Sequence, residues 1–303
     1  MKEISVVTRS VILATGGGGQ IPSMPELPKR DEYSGDVLHS VDFKSAKPWK
    51  ERSAVVVGSA NTGHDVATDM FEAGCSSTTM IQRSTNYVMP TEYYKNVLDQ
   101  SYNDDVPTVS ADMSSSWAPI LVIRLISMQL VNSRAEKQSE RFDALEKAGF
   151  LTQRYGDIIH QIFECGGGHY MDVGASAMIA QGKIKVRAGV APTEYKKTGL
   201  RLSDGSSLDA EVIVWATGFK FNAREDIQDW FGKSVADKVQ EYWGVDEEGE
   251  IRGAFKPSGH PGIWLHGGTQ GQARYMSRFV ALQVKALVMG QPLPVYSETP
   301  RNG

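Results

Sequence analysis

Hydrophobic positions along this chain alternate between short continuous runs and helical spacing. Ala54 to Val57 is an apolar, β-branched run of strand length, and Asp65, Val66, Ala67, Met70, Phe71 and Ala73 then recur at the period of a helix. Gly74 stands where a glycine releases a helix, and Thr78 to Gln82 reads as another strand. Ser53 to Thr85 is therefore a strand–helix–strand unit. The same reading predicts strands at Ile4 to Thr8, Val11 to Ala14, His169 to Val173, Ile184 to Arg187, Glu211 to Trp215 and Gly262 to Leu265. It predicts helices at Ala135 to Ala148, Ala175 to Ala180 and Ala273 to Met289. Val190 to Tyr195 and Gly199 to Leu202 form a small meander whose hairpin turn is Asp204-Gly205. Strands alternating with helices define an α/β class.

Two stretches break the pattern. Pro22, Pro25 and Pro28 make Gly17 to Arg30 an extended connector, and Tyr33 to Phe43 reads as a loop with one histidine, His39. Val88 to Gly149 is interrupted by Pro90, Pro107 and Pro119, an insertion that either shapes a substrate route or packs on the sheet. Within it, Trp117 to Val131 is strongly apolar but contains Pro119, Arg124, Ser127 and Gln129. It is too short to span a bilayer and is expected as a packed or channel-lining helix, with an interfacial helix as the lesser alternative. The strand ending in Ala14-Thr15-Gly16 is echoed by the strand ending in Ala216-Thr217-Gly218. Paired junctions of this kind suit a chain that leaves one dinucleotide-binding domain, builds a second and returns.

Chemistry enters at the turn after the Ala54–Val57 run. Gly58-Ser59-Ala60-Asn61-Thr62-Gly63 has the register G-x-A-x-x-G, whose glycines permit a tight turn and a close approach to a pyrophosphate held by helix N-terminal amides. An NAD site usually carries Asp or Glu at the end of the second strand. Here Arg83 is followed by Ser84 and Thr85, which suits a 2′-phosphate and therefore NADPH. A surface cation capping the strand is the plainer reading of Arg83. His266-Gly267-Gly268-Thr269-Gln270-Gly271, feeding a helix, is a second candidate anion or flavin site.

Composition is that of an ordinary globular protein, 41% hydrophobic and 22% charged, and the net charge of -4 gives no electrostatic reason to expect nucleic acid or an anionic membrane. Cys75 and Cys165 form no C-x-x-C, which removes a redox-active dithiol and a thiolate-rich zinc site and points to a reducing, cytoplasmic compartment. No apolar core of a signal peptide precedes Ser10, and no membrane span is expected. The histidines at 39, 64, 160, 169, 260 and 266 lack metal-ligand spacing; His169 with Cys165 is the close pair in sequence. His266-Gly267-Gly268 also has the look of a hydrolase oxyanion loop, a reading that the absence of G-x-S-x-G strongly disfavours.

The chain resembles the flavin-containing monooxygenases, fungal branch, at four places in that family's order. These are the two Ala-Thr-Gly junctions at 14–16 and 216–218; Tyr33, Gly35, His39 and Phe43, similar to the signature F-x-G-x-x-x-H-x-x-x-aromatic; Gly58 to Gly63 with Arg83; and His266-Gly267-Gly268 with Arg274 to Arg278. The resemblance implies a Rossmann-like NAD(P)-binding domain inserted in a partial FAD-binding domain. Residues 1–45 would be a partial FAD-domain segment and hinge, 46–215 the NADPH domain with a helical insertion at about 90–170, and 216–303 the return to the FAD domain. The family's first G-x-G-x-x-G unit has no counterpart before Ala14, so the chain is expected to be a truncated or divided form. The implied chemistry uses NADPH and FAD: hydride reduces the flavin, oxygen adds as a C4a-hydroperoxide, and a small organic substrate is oxygenated at N, S or carbonyl carbon. Cofactor contacts are then expected from Gly58, Ser59, Ala60, Asn61, Thr62, Gly63, Arg83, Ser84, Thr15, Gly16, His39, Thr217, Gly218, Gln270 and Arg274, with no catalytic side chain. The rival is a catalytically silent NADP-binding module that needs a partner to complete the flavin site. Homodimerisation, or association with a complementing flavin domain, is expected through unpaired strands around residues 4–14.

Overall fold

The structure, a computed structural model, describes residues 5–16, 21–220 and 223–294. Ile4 and the glycines after Gly16 lie outside the described residues. The chain divides into two compact units, one of Pro22–Leu98 and Arg124–Phe219, the other of Met1–Ile21, Asp99–Ile123 and Lys220–Gly303. The sequence boundaries at 46 and 215 therefore fall inside the first unit, and residues 99–123 of the expected insertion belong to the second.

The second unit begins with β1 (Val11–Leu13), which pairs in parallel with β13 (Ile263–Leu265), Val11 opposite Ile263 and Leu13 opposite Leu265. Residues 11–13 are thus not partnerless, and Val6 and Val7, expected in a strand, are exposed and lie outside any strand of the described residues. Against this pair pack α8 (Ala223–Phe231) and α9 (Lys233–Ala236), while α3 (Thr108–Ser116) packs on α10 (Gln270–Val288). Ile227, Ala236, Val239, Ile263 and Leu265 form its core with Val11 and Leu13.

The first unit is built on a parallel five-stranded sheet in the order β2 (Asp36–His39), β12 (Val212–Trp215), β3 (Ser53–Val57), β4 (Ser77–Gln82), β8 (Lys185–Ala188). The central strands are buried almost throughout, as a parallel sheet covered on both faces requires. Alternation sorts their side chains. Ala54, Val56, Met80, Val212 and Val214 face a cluster containing Val66, Ala67 and Met70 of α1 (Asn61–Glu72). Val55, Val57, Ile81, Ile213 and Trp215 face Tyr195, Leu200 and Leu202 of the meander β9 (Pro192–Lys196), β10 (Gly199–Leu202), β11 (Ser207–Asp209). Each Val, Leu, Ile and Met among them contributes roughly 1.5–3 kcal/mol on burial. Gly74, at φ 84°, ends α1: its N–H bonds the Phe71 carbonyl and that of Cys75 bonds Met70, the paired bonds of a Schellman cap.

Several elements depart from the sequence reading. Residues 36–39, expected as loop, are the edge strand β2, because their partner β12 lies far along the chain, Asp36 opposite Val212 and His39 opposite Trp215. Inside the expected insertion, β5 (Asn86–Pro90) is fully buried at the centre of a parallel sheet between β6 (Thr152–Gln153) and β7 (His169–Asp172). It leads into α2 (Thr91–Ser101), while β7 leads into α7 (Ala175–Ala180). The expected helix over 135–148 is split between α4 (Ile120–Glu136) and α5 (Ser139–Lys147), and α6 (Ile158–Phe163) follows. The packed helix expected over 117–131 is also corrected: α4 turns Leu121, Val122, Leu125, Ile126 and Leu130 outward, Leu125 being 69% exposed. No single helix among the described residues is long and apolar enough to cross a membrane; α3 and α4 pass such a test only together, as a bent pair.

Candidate dinucleotide site

A parallel sheet gathers the C-terminal ends of its strands on one edge, and ligands bind where neighbouring strands diverge in connection. In the five-stranded sheet that point lies between β3, whose connection runs on to β4 on one side, and β12, which lies on its other side. His39, Gly58 to Gly63, Arg83 with Ser84, and Thr217 with Gly218 all follow the ends of β2, β3, β4 and β12 on this edge.

The turn after β3 is held close on both sides by backbone. Gly58 adopts φ 123°, and a Cβ on it would sit 2.3 Å from the Ala216 carbonyl oxygen. A Cβ on Gly63 would sit 2.1 Å from the Gly58 carbonyl oxygen. Both positions admit only hydrogen, so α1 begins in contact with the strand it follows. Its N-cap, Ala60, brings no side-chain cap, so the amides of Asn61, Thr62 and Gly63 face the turn without a side-chain acceptor. At α10 the corresponding donors are engaged internally: the Gln272 N–H bonds Thr269 Oγ1 at 3.3 Å and the Thr269 N–H bonds Gln272 Oε1 at 3.0 Å. Of the two expected anion sites, the one at α1 thus has the more open donors.

Neighbouring side chains brace the turn. The Asn86 amide donates to the Ser59 carbonyl, and Asn61 Oδ1 accepts from the Met171 N–H at 2.7 Å while its Nδ2 lies 3.3 Å from His169 Nε2. Asn61 therefore ties α1 to β7. Its bridge and that of Asn86 cross from the other sheet, which no local pattern signals. His64 is buried with its ring stacked on Tyr170 at 3.6 Å and Nδ1 3.1 Å from the Ala60 carbonyl; burial pulls its pKa down to about 4, so it is a neutral packing residue.

At the end of β4, Gln82 is wholly buried, its amide donating to the Leu151 carbonyl at 2.7 Å and accepting from the Leu151 N–H at 2.8 Å. The next three residues, Arg83, Ser84 and Thr85, are exposed, and among the described residues Arg83 has no ion-pair partner. His39 is buried; Nδ1 accepts from the Val41 N–H at 3.2 Å, which puts the proton on Nε2, a buried donor without a partner. Thr217 is spoken for, donating to the Ser23 carbonyl, and the Gly218 carbonyl accepts from the Ser23 N–H at 2.9 Å. The Ala216-Thr217-Gly218 junction is thus sewn to the neighbouring chain crossing at Pro22-Ser23.

The other expected site residues lie in the second unit. Thr15 and Gly16 follow β1 and line, with Asp226, Trp230 and Tyr242, a hollow of about 10 Å³, no more than a water molecule needs. Tyr242 Oη is buried there without a partner, and burial raises the phenol's pKa to about 12. Gln270 opens α10 and is exposed. Arg274 is held away from free service by Asp112, which is 1% exposed: its Nε and Nη2 donate to the two carboxylate oxygens at 2.7 and 2.5 Å, and Tyr102 Oη donates at 3.0 Å. The guanidinium, then burial in opposition, then Tyr102 set the Asp112 pKa below the usual carboxylate range.

Two glycine close approaches, an uncapped helix start and an exposed arginine at the next strand's end mark an α/β fold with a candidate dinucleotide site. The sequence profile described as "Flavin-binding monooxygenase-like" matches residues 2–245, and the chain belongs to that family. The resemblance read from the motifs is borne out. Similar curated proteins include "Probable indole-3-pyruvate monooxygenase YUCCA7" of Arabidopsis thaliana, 28% identical over 73% of this chain and 46% of its own length. "Indole-3-pyruvate monooxygenase YUCCA1" of Oryza sativa subsp. japonica is 25% identical over 77% of this chain and 53% of its own. The chain spans about half the length of these relatives. Among solved structures, the OTEMO complex with FAD and NADP superimposes with a TM-score of 0.55 at 15% identity, covering 95% of this chain and 62% of that one. Cyclohexanone monooxygenase from Rhodococcus sp. Phi1 bound to NADP+ gives 0.53 at 13%, covering 93% and 60%. These two share the α/β fold.

Proposed function

We propose that this chain acts in flavin-dependent monooxygenation as the part that takes up NADPH. The observation that carries the reading is the backbone cradle at Gly58 and Gly63, where any side chain would collide with carbonyl oxygens, combined with Arg83 standing free one strand away. A dinucleotide fits these residues. The amides of Asn61 to Gly63 donate to its pyrophosphate, and Arg83 with Ser84 receives the 2′-phosphate that NADH lacks. A flavin, when bound, supplies the redox chemistry of oxygen transfer; the chain's own work is to bind, orient and exclude water. The commitment of Arg274 to Asp112 favours a second reading, an NADP(H)-binding module whose flavin site is completed by a partner. The substrate is a small organic molecule; indole-3-pyruvate, in the names of the plant relatives, is one probe to try.

The test is the absorption spectrum of the purified chain after incubation with FAD and desalting, followed by NADPH without oxygen. A stoichiometric flavin band that bleaches with NADPH but poorly with NADH supports the monooxygenase reading. A colourless protein that binds NADPH sinks it in favour of the module. Binding of neither cofactor overturns both.

A further inference from the structure

In the first unit, α6 ends in a row of side chains that the dinucleotide reading does not use. Asp157 caps the helix, its Oδ1 accepting from the His160 N–H at 2.9 Å. One turn on, His160 places Nε2 3.3 Å from the Sγ of Cys165, while Glu164 Oε1 lies 3.2 Å from Nδ1 as an ion-pair contact. Glu164 is itself held by Arg124, whose Nη1 donates to Oε1 at 2.7 Å, and whose Nε pairs with Asp157. His169, near Cys165 in sequence, faces Asn61.

This order has a chemical consequence. Glu164 stands near Nδ1 without a hydrogen bond to it, and a thiol proton donated to Nε2 leaves the ring's own proton at Nδ1 and the Nε2 lone pair directed at the sulfur. The sulfur is exposed, and the residues after it are Gly166, Gly167 and Gly168, which present no side chain; a Cβ on Gly167 would meet nothing within 4 Å. Cys75 is the opposite case. It is half-buried, donates to the Trp49 carbonyl at 3.2 Å, and burial raises its pKa, an inert structural thiol.

We propose that Cys165 is a site of reversible oxidation by hydroperoxides, with His160 as the base and Glu164 as its positioning residue. His160 Nε2 takes the thiol proton, the sulfur attacks one peroxide oxygen, the S–O bond forms as the O–O bond breaks, and the departing hydroxide takes the proton back as water. Sulfur loses two electrons and the peroxide gains them, so that thiol and hydrogen peroxide become sulfenic acid and water. A low-molecular-weight thiol then condenses with the sulfenic acid, releasing water and leaving a mixed disulfide that further thiol reduces. The assignment is independent of the dinucleotide site.

The experiment treats the full chain with a small excess of hydrogen peroxide in the presence of dimedone, and follows adducts at Cys165 and Cys75 by peptide mass, with the oxidation of glutathione in a separate tube as a free-thiol standard. Cys165 is expected to label at least tenfold faster than glutathione and Cys75, and at least tenfold more slowly in His160→Gln. Glu164→Gln should give an intermediate rate with an unchanged melting temperature. Labelling of Cys165 no faster than glutathione, or at an undiminished rate in His160→Gln, overturns the proposal. Should that variant fail to fold, the wild-type comparison with glutathione alone decides.

Discussion

Adding one methyl group to Gly63 tests the contact between α1 and the end of β3. The new Cβ would lie 2.1 Å from the Gly58 carbonyl oxygen and 2.8 Å from its carbon, with Ala216 Cβ at 3.8 Å behind. To reach the 3.4 Å at which such contacts become ordinary, helix or strand must retreat by about 1.3 Å, the difference between 3.4 and 2.1. Both colliding atoms are backbone, so no side chain can swing aside. Overpacking of this kind costs roughly 1–3 kcal/mol, while the better helix propensity of alanine returns up to about 1 kcal/mol. The collision wins, and a loss of about 1–2 kcal/mol lowers the melting temperature by roughly 2–8 °C. The same retreat pulls the first-turn amides from the pyrophosphate position, so NADPH affinity should fall at least tenfold by calorimetric titration. Gly167→Ala is the control, since its Cβ meets nothing within 4 Å. A Gly63→Ala protein that melts with the wild type and binds NADPH with the wild-type Kd refutes the reasoning.

Arg83→Ala should weaken NADPH by about 1.5–3 kcal/mol, tenfold or more in Kd, and leave NADH unchanged; equal loss for both would remove the 2′-phosphate role. His64, ordinarily near 6.5, is held near 4 by burial. Its folded value is depressed, so its contribution is complete above pH 6.5 and is lost as pH falls toward 4, up to about 3 kcal/mol. Denaturation at pH 7.5 and 4.5 should show this slope, and His64→Phe, which keeps a ring against Tyr170, should flatten it; an unchanged slope assigns it elsewhere. Arg274→Met leaves the buried Asp112 carboxylate with the Tyr102 hydroxyl but without its cation and should lower the melting temperature, most of the loss being recovered in the double variant with Asp112→Asn. A single variant of full stability would show that the pair does not hold α10 to α3.

Local chemistry made much of this protein legible before folding. Ala54 to Val57, the glycine spacing and Gly74 identify a strand, turn and capped helix because each signal lies within a few residues of its effect. Arg83 was legible for the same reason, as an adjacent position in chain order. β2 and β5 were not, because their stability comes from partners distant in sequence, Val212–Trp215 and His169–Asp172. The outward apolar face of α4 escaped as well, since composition says that residues are apolar and not where they point.

The sequence by itself determined the family, the α/β class and the residue types of the cradle, all of which depend on short-range pattern. Only the tertiary structure decided what those residues touch. It brought Ala216 against Gly58, bound Arg274 to Asp112 and so withdrew a cation from service, and paired Cys165 with His160 rather than His169. The physical reason is the same in each case: a carbonyl, a carboxylate or an imidazole acts over three or four ångströms, and distance along the chain does not set distance in space.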